Sequence, residues 1–337
     1  MIISKEGCTV YPIMVPAKYG LKTFNFYLVK EAESLSLIDA GVDSEECWEH
    51  FTKAMAENGF ALQDLDRIIV THYHEDHIGL INRISSIKEI PVYAHRNSIH
   101  RMKRDKEFFS LRVEFFRQLY QEMGCGAAGE QQVQKLQEAV KKNEKYKIRA
   151  DIMPLAESDA IAGLQVIETP GHSPGHVVFL DTQRRQLFGG DHLIGHISSN
   201  AIVEPDEEGK RIRTLVEYVD SLKKCSTLDV ETVFPGHGDL IHSPGELVKR
   251  RLERIHRKSE NILQSIEGGI STADQLAQTY YKNKYQSEFS LVMSEIIGQL
   301  DLLESLNKIQ KERKEGVWHY YIENPILTTG DSFLAKR

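Results

Sequence analysis

Short apolar runs alternate with amphipathic stretches through the first 95 residues. Residues 24–29 and 36–41 read as strands, the second closed by Gly41. Trp48, Phe51 and Met55 recur at helical spacing and predict a helix over about 45–58, stopped by Gly59. The β-branched run at 67–71 predicts a short buried strand leading straight into His72. From about 97 to 147 the period turns helical and proline disappears, with Phe108, Leu111, Phe115 and Leu119 as the apolar stripe. Glycines between 124 and 129 divide this stretch into two predicted helices. It reads either as a hairpin against the main body or as a lid over a cleft, since insertions on a scaffold often carry specificity. Strand patterns return at 164–169, 177–180, 186–188 and 232–234, each followed by a turn bearing Gly or Pro.

Beyond about residue 243 the character changes again. Residues 246–267 predict one long helix ending at Gly268-Gly269. Thr272-Ala273-Asp274-Gln275 has the form of a capping box opening a second helix, and 290–307 predicts a third. Residues 309–313 and 317–322 form a hairpin around Gly316. Helices followed by a two-stranded wing resemble a winged-helix module over about 260–330. The expected organisation is an α/β domain over 1–245, a helical insert at about 97–147, and a C-terminal helical, winged-helix-like domain over 246–337. In that tail Leu291, Ile296, Ile297, Leu300, Leu303 and Leu306 read as core.

Composition narrows the class. A 337-residue chain with 41% apolar and 27% charged residues is that of a globular protein. Met1 to Gly7 show no basic stretch leading into an apolar core, so no secretory signal is expected. No apolar run approaches the ~18 residues of a membrane span. Cys8, Cys47, Cys125 and Cys225 are scattered, and with the preceding features they fit a reducing cytoplasm. A net charge of -7, from 42 basic and 49 acidic residues, argues against a general nucleic-acid binder. Fourteen histidines, many in short clusters, change the picture more than any other number.

His72-Tyr73-His74-Glu75-Asp76-His77 concentrates three imidazoles and a ligand-type aspartate in six residues, directly after a strand. In an extended loop residues two apart point the same way, so His72 and His74 can share one ion. Asp76 and His77 are adjacent and project elsewhere, which suits a second ion nearby. His172, in Thr169-Pro170-Gly171-His172-Ser173-Pro174-Gly175-His176, sits in a turn fixed by Pro and Gly. Asp191 ends Phe188-Gly189-Gly190-Asp191, and His237 lies in Phe234-Pro235-Gly236-His237-Gly238. All three follow predicted strands.

With His72-x-His74-x-Asp76-His77, then His172, Asp191 and His237, the sequence resembles the metallo-β-lactamase superfamily over roughly residues 10–245. The resemblance implies an αββα sandwich with its site on loops at one edge of two sheets. It implies that His72, His74 and His172 hold one ion, that Asp76, His77 and His237 hold a second, and that Asp191 bridges them. Two divalent ions, two aspartates and a bridging hydroxide leave such a site net positive. Ions about 3.5–4 Å apart lower the pKa of a shared water and polarise the oxygen under attack. Asp76 then ligates and also orients or accepts the proton. Zinc is the expected metal, with iron or manganese as alternatives. His237 stands where antibiotic-degrading members carry Cys, so the glyoxalase II, thioesterase and lactonase branches are the nearer likeness. Asp39 resembles the family's buried turn aspartate and reads as structural. His176 reads as a turn or supporting residue. His192 and His196 read as structural or solvent-facing, His95 as a strand end. His50, His100, His242, His256 and His319 read as surface residues.

These features predict a metal-dependent hydrolase cleaving a small ester-like bond, a thioester or lactone, by attack of a metal-bridging hydroxide. Phe108, Phe109, Phe115, Phe116 and Tyr120 of the insert would line an apolar lid. The alternative is a metal-dependent endoribonuclease, because a superfamily domain with a winged-helix-like tail resembles the β-lactamase-like-protein-2 type. Lys249, Arg250, Arg251, Arg254, Arg257 and Lys258 would then meet phosphates. About 65 residues between His172 and His237 leave no space for the inserted domain of the RNA-processing β-CASP branch. A non-catalytic metal-stabilised protein and a one-iron persulfide dioxygenase are further classes. The expected partner is a small-molecule substrate, with nucleic acid as the alternative and no membrane. The tail suits homodimerisation as well as shaping a cleft.

Overall fold

The computed structural model describes residues 2–18 and 20–322, so the end of the expected 246–337 domain lies outside the described residues. The larger sheet takes its strands in chain order: β1 (Ile3–Lys5), β2 (Cys8–Pro16), β3 (Thr23–Glu31), β4 (Ser34–Ile38), β5 (Leu65–Ile69), β6 (Val92–His95) and β7 (Ile152–Leu155). Pairing is antiparallel from β1 to β4 and parallel from β4 to β7. The smaller sheet holds β8 (Ala160–Ile161), β9 (Leu164–Glu168), β10 (Val177–Asp181), β11 (Gln186–Gly190) and β12 (Thr232–Pro235). It is antiparallel except for β11 beside β12, so β9, β11 and β12 all finish at the same end.

Alternation along the strands builds the layers. Tyr27, Val29, Ile38 and Ile69 of the larger sheet meet Val166, Val177, Phe179, Phe188 and Phe234 of the smaller one. The opposite face of the larger sheet, with Phe26, Leu28, Leu35 and Leu37, is covered by α1 (Glu45–Glu57), the single turn α2 (Glu75–Ile78) and α3 (Ile81–Ile87). In α1 the inner stripe is Cys47, Phe51 and Met55, while Trp48 is only partly buried. The outer face of the smaller sheet, with Ile167, Val178, Leu180 and Val233, packs against helices described below. The result is the expected αββα sandwich.

Between β6 and β7 the insert has three helices where two are expected: α4 (Arg96–Met102), α5 (Lys106–Glu122) and α6 (Gly126–Lys142). Arg104 adopts a left-handed φ of 50°, which ends the short α4, and Asp105 caps α5 by accepting from the Phe108 amide at 2.8 Å. The buried face of α5 is Phe108, Phe109, Phe116, Leu119 and Tyr120, with Leu111 and Phe115 only partly covered. The single predicted stripe is too narrow because α5 has more than one packing partner.

The remaining helices are α7 (Thr214–Ser226), α8 (Pro244–Glu267), α9 (Ala273–Tyr280) and α10 (Phe289–Ser305), followed by the hairpin β13 (Gln310–Lys314) and β14 (Val317–Tyr321). Leu215 and Val219 of α7 and Leu247 and Val248 of α8 cover the smaller sheet. The Thr272–Gln275 capping box is present at the start of α9. Phe116, Leu119 and Tyr120 of α5 and Val133 of α6 share one core with Ile262, Leu276, Phe289, Ile296 and Leu300 of the tail. The insert is therefore joined to the C-terminal helices by a common core, which takes Phe116 and Tyr120 of the expected lining, while Phe108 is buried against His100 and Arg101 instead. Among the described residues no helix is long and apolar enough to cross a membrane.

At the end where β5, β9, β11 and β12 finish, the two sheets are joined by hydrogen bonds from β3. Asn25 donates through Nδ2 to the carbonyls of Pro235 (3.0 Å) and Gly238 (2.7 Å), and Tyr27 Oη donates to Pro235 (2.6 Å).

Candidate metal centre

Each candidate ligand follows a strand at this joined end. His72 and His74 follow β5, and Asp76 and His77 lie in the single turn of α2. His172 lies in the turn after β9, Asp191 follows β11 and His237 follows β12. The structure brings all seven together. His74 Nδ1 is 3.0 Å from both His72 Nε2 and His172 Nε2. His237 Nε2 is 3.5 Å from Asp76 Oδ2, and His77 Nε2 is 3.9 Å from Asp76 Oδ1. Asp191 stands between the two sets. Its Oδ2 lies 3.6 Å from His172 Nε2, and its Oδ1 lies 3.3 Å from Nε2 of both His77 and His237. The donor atoms of His72, His74 and His172 can meet one cation, as can those of Asp76, His77 and His237.

The histidines are aimed by what their other nitrogens bond. A carbonyl or carboxylate oxygen can only accept, so the facing ring nitrogen carries the proton. His77 Nδ1 donates to Asp39 Oδ2 at 2.8 Å, His172 Nδ1 to the Asn200 carbonyl at 3.0 Å, and His237 Nδ1 to the Thr23 carbonyl at 2.8 Å. Each leaves its Nε2 facing inward, where a cation can take the place of a proton. Thr71 Oγ1 donates to Asp39 Oδ2 at 2.8 Å and takes the proton of His72 Nδ1 at 3.1 Å. Asp39 thus orients one histidine of each set, His77 directly and His72 through Thr71. It does so with a left-handed φ of 57°, a conformation that Asp tolerates better than most residues.

Charge separates the two sets. Burial, helped by neighbouring imidazoles, pushes His72 and His74 well below the ordinary imidazole range, and burial also lowers His172. Burial opposes charge on His77 and His237 too, but there the nearby carboxylates, Asp191 foremost, prevail and raise both. Asp191 is held well below the carboxylate range, because His77 and His237 outweigh its burial. Three buried atoms of this centre, His77 Nε2, His237 Nε2 and Asp191 Oδ1, have no hydrogen-bond partner among the described residues. Buried polar atoms are rarely left so. Both nitrogens lie 3.3 Å from Asp191 Oδ1, at ion-pair distance but without a hydrogen bond, as atoms do that share a cation. Imidazole and carboxylate donors of this kind fit a divalent first-row metal.

Other histidines have separate duties. His176 Nε2 accepts from the Asp191 amide at 3.1 Å while Nδ1 bonds Thr169 Oγ1 at 2.8 Å, so it supports Asp191 from behind. His192 is fully buried against Tyr218, and burial lowers it to about 3. His196 meets the Gly20 carbonyl at 2.9 Å, and His95 pairs with Glu168 at 2.8 Å. Sequence reasoning missed the Thr23 and Asn200 carbonyls, since backbone acceptors carry no residue signature. Arg251, expected on an exposed basic face, is half-buried against the loop after Asp191.

A model of the metallo-beta-lactamase superfamily matches residues 23–237 of the chain. The "Probable metallo-hydrolase YqjP" of Bacillus subtilis is 31% identical over 297 residues, covering 88% of this chain and 92% of that protein. The "Atrochrysone carboxyl ACP thioesterase" of Aspergillus fumigatus is 22% identical over 253 residues, 75% of this chain and 62% of that protein. Among solved structures, the metallo-beta-lactamase family protein TTHA1429 from Thermus thermophilus aligns with a TM-score of 0.75. That alignment has 24% identity and covers 93% of this chain and 98% of the other, which shows a shared fold.

Proposed function

Because this chain belongs to the metallo-beta-lactamase superfamily and is a metal-dependent hydrolase, we propose that it is a dinuclear enzyme cleaving a thioester or lactone. In this reading His72, His74 and His172 hold one ion, Asp76, His77 and His237 hold the other, and Asp191 bridges them. The observation that carries it is the division of Asp191, whose Oδ2 faces His172 while its Oδ1 faces His77 and His237. When bound, paired divalent ions would bring the pKa of water from about 15.7 to near 7 and polarise the oxygen of the bond under attack. Zinc is the expected metal, with iron or manganese as alternatives.

The chain's own residues define the rest. Asp76 is a quarter exposed where Asp191 is 10% exposed, so Asp76 is the carboxylate placed to take a proton at the open side. Asp39 and Thr71 keep His72 and His77 in the tautomers that present Nε2. A thioester is favoured by the likeness to a protein named as a thioesterase, and not by the insert, whose Phe108, Phe109, Phe116 and Tyr120 are buried. The basic face of α8 gives the endoribonuclease alternative less support than the run of cations in sequence promised. Arg251 turns inward and Lys258 pairs with Glu295 at 2.8 Å.

The test is turnover of acyl-CoA thioesters, acyl-homoserine lactones and S-lactoylglutathione by metal-loaded protein, with metal content measured on the same sample. Two ions per chain and hydrolysis abolished by Asp191→Asn are expected. One iron per chain, or cleavage of single-stranded RNA that Asp76→Ala removes with no thioester or lactone turned over, would overturn the proposal.

A further inference from the structure

Asp191 and the carbonyl that orients His172 stand at the two ends of one loop, residues 191–200. Inside the loop Ser199 Oγ donates to the Asp191 carbonyl, and at its far end the Asn200 carbonyl takes the His172 Nδ1 proton at 3.0 Å. The middle of the loop is gripped from outside by one side chain. Arg251 of α8 donates through Nη2 to the carbonyls of Ile194 (2.7 Å) and Ile197, with a longer contact to Gly195 (3.4 Å). Its Nη1 donates to Ser198 Oγ at 3.0 Å.

None of these bonds goes to a carboxylate. Burial lowers the guanidinium below its ordinary value, and the charges of Arg254 and Arg250 lower it further. A half-buried cation with no acidic partner among its hydrogen bonds is costly unless its donors are otherwise used. Here they are used on backbone acceptors of the loop. A planar fork suits this role, because it fixes several acceptors in one plane where an ammonium would fix one.

We propose that Arg251 is a positioning residue for the metal centre, through which the C-terminal helix α8 sets the placement of Asp191 and His172. The inference rests on the dinuclear reading above. It makes the C-terminal region part of the machinery of the site, although no ligand comes from it. Losing the outer groups that orient metal ligands costs roughly 10–100-fold in metal affinity or activity. Arg251 acts one step further out, so a loss of about tenfold is expected.

The test compares wild type with Arg251→Met, Arg251→Lys, Ser199→Ala and, as a control, the exposed Arg250→Met. Each apo protein is titrated with zinc against a chromophoric chelator, and the cobalt-loaded forms are compared by visible absorption. Arg251→Met is expected to weaken zinc binding about tenfold and to change the cobalt bands, with Arg250→Met unchanged. Lysine, lacking the fork, is expected to recover little. Ser199→Ala removes the loop's hydrogen bond to the Asp191 carbonyl and leaves α8 unchanged, so it carries the test if Arg251→Met fails to fold, and it is expected to shift the bands in the same way. Unchanged affinity and spectrum in Arg251→Met, or in Ser199→Ala should the former not fold, would refute the positioning role. Full recovery by lysine would assign the effect to charge and refute the clamp. Failure of wild type to bind either ion would instead overturn the metal reading, and this inference with it.

Discussion

Arg112 of α5 and Glu204 form a bidentate pair at the join between the insert and the segment after Asn200. Arg112 Nε lies 2.8 and 3.0 Å from the two carboxylate oxygens, and Glu204 is only 3% exposed. Arg112→Met removes the forked donor and leaves a buried carboxylate. Among the described residues the other guanidinium paired with it is Arg101, at 3.7 Å and 2% exposed. Removing one partner of a buried pair costs about 3–5 kcal/mol, since the remaining charge stays desolvated. Arg101 offsets part of this, so about 3 kcal/mol is expected. The double variant Arg112→Met/Glu204→Leu removes the stranded carboxylate but leaves the buried Arg101 without its own, so it should recover only part of that loss. Urea unfolding followed by far-UV circular dichroism measures all three proteins. A loss under about 1 kcal/mol for Arg112→Met, the value of an exposed pair, would show that Glu204 is not committed to this partner. A double variant no more stable than the single would refute the desolvation argument.

Asp39→Ala should weaken zinc binding by about 10–100-fold while leaving all seven ligands in the chain, because both His77 and His72 lose their orientation; chelator competition reads this, and wild-type affinity would refute it. Glu217, raised by burial to about 7, should make wild-type stability fall relative to Glu217→Gln as pH rises from about 4.5 to above 7. The sign follows because the folded state holds this proton more tightly than the unfolded chain. The difference should be on the order of 2 kcal/mol by about pH 8.5, discounting for partial exposure, and urea midpoints that shift in parallel would count against it. Zinc loading of apo protein at about pH 7 should release protons, since His77 and His237 are held charged opposite Asp191. An indicator dye in weak buffer measures the release, and none would show those imidazoles to be neutral.

The candidate ligands were legible because ligand-type side chains interrupt apolar runs at the ends of strands, as with His72 after β5 and Asp191 after β11. The helices of the tail were legible through period and through the Thr272 cap, both local signals, although Leu291 and Leu306, read as core, are exposed. What stayed hidden depends on partners distant in the chain. Leu111 and Phe115 look as apolar as Phe116, and only the C-terminal helices decide which of them is covered. Arg251 sits in a run of exposed cations, and nothing local distinguishes it from Arg250. The Asn200 and Thr23 carbonyls could belong to any residue.

The hydrogen bonds of Asn25 and Tyr27 to the turn after β12 span more than 200 residues of chain. They set the order in which the molecule can assemble. Contacts so far apart in sequence form late, since long loops must close before they reward the chain. Until that closure the nascent chain holds only the 72–77 segment as a possible ligand cluster, with His172, Asp191 and His237 elsewhere. Metal uptake is therefore expected to follow folding and not to guide it. Added zinc should leave the refolding rate unchanged and slow unfolding alone, so metal uptake marks a chain that has already joined its two sheets.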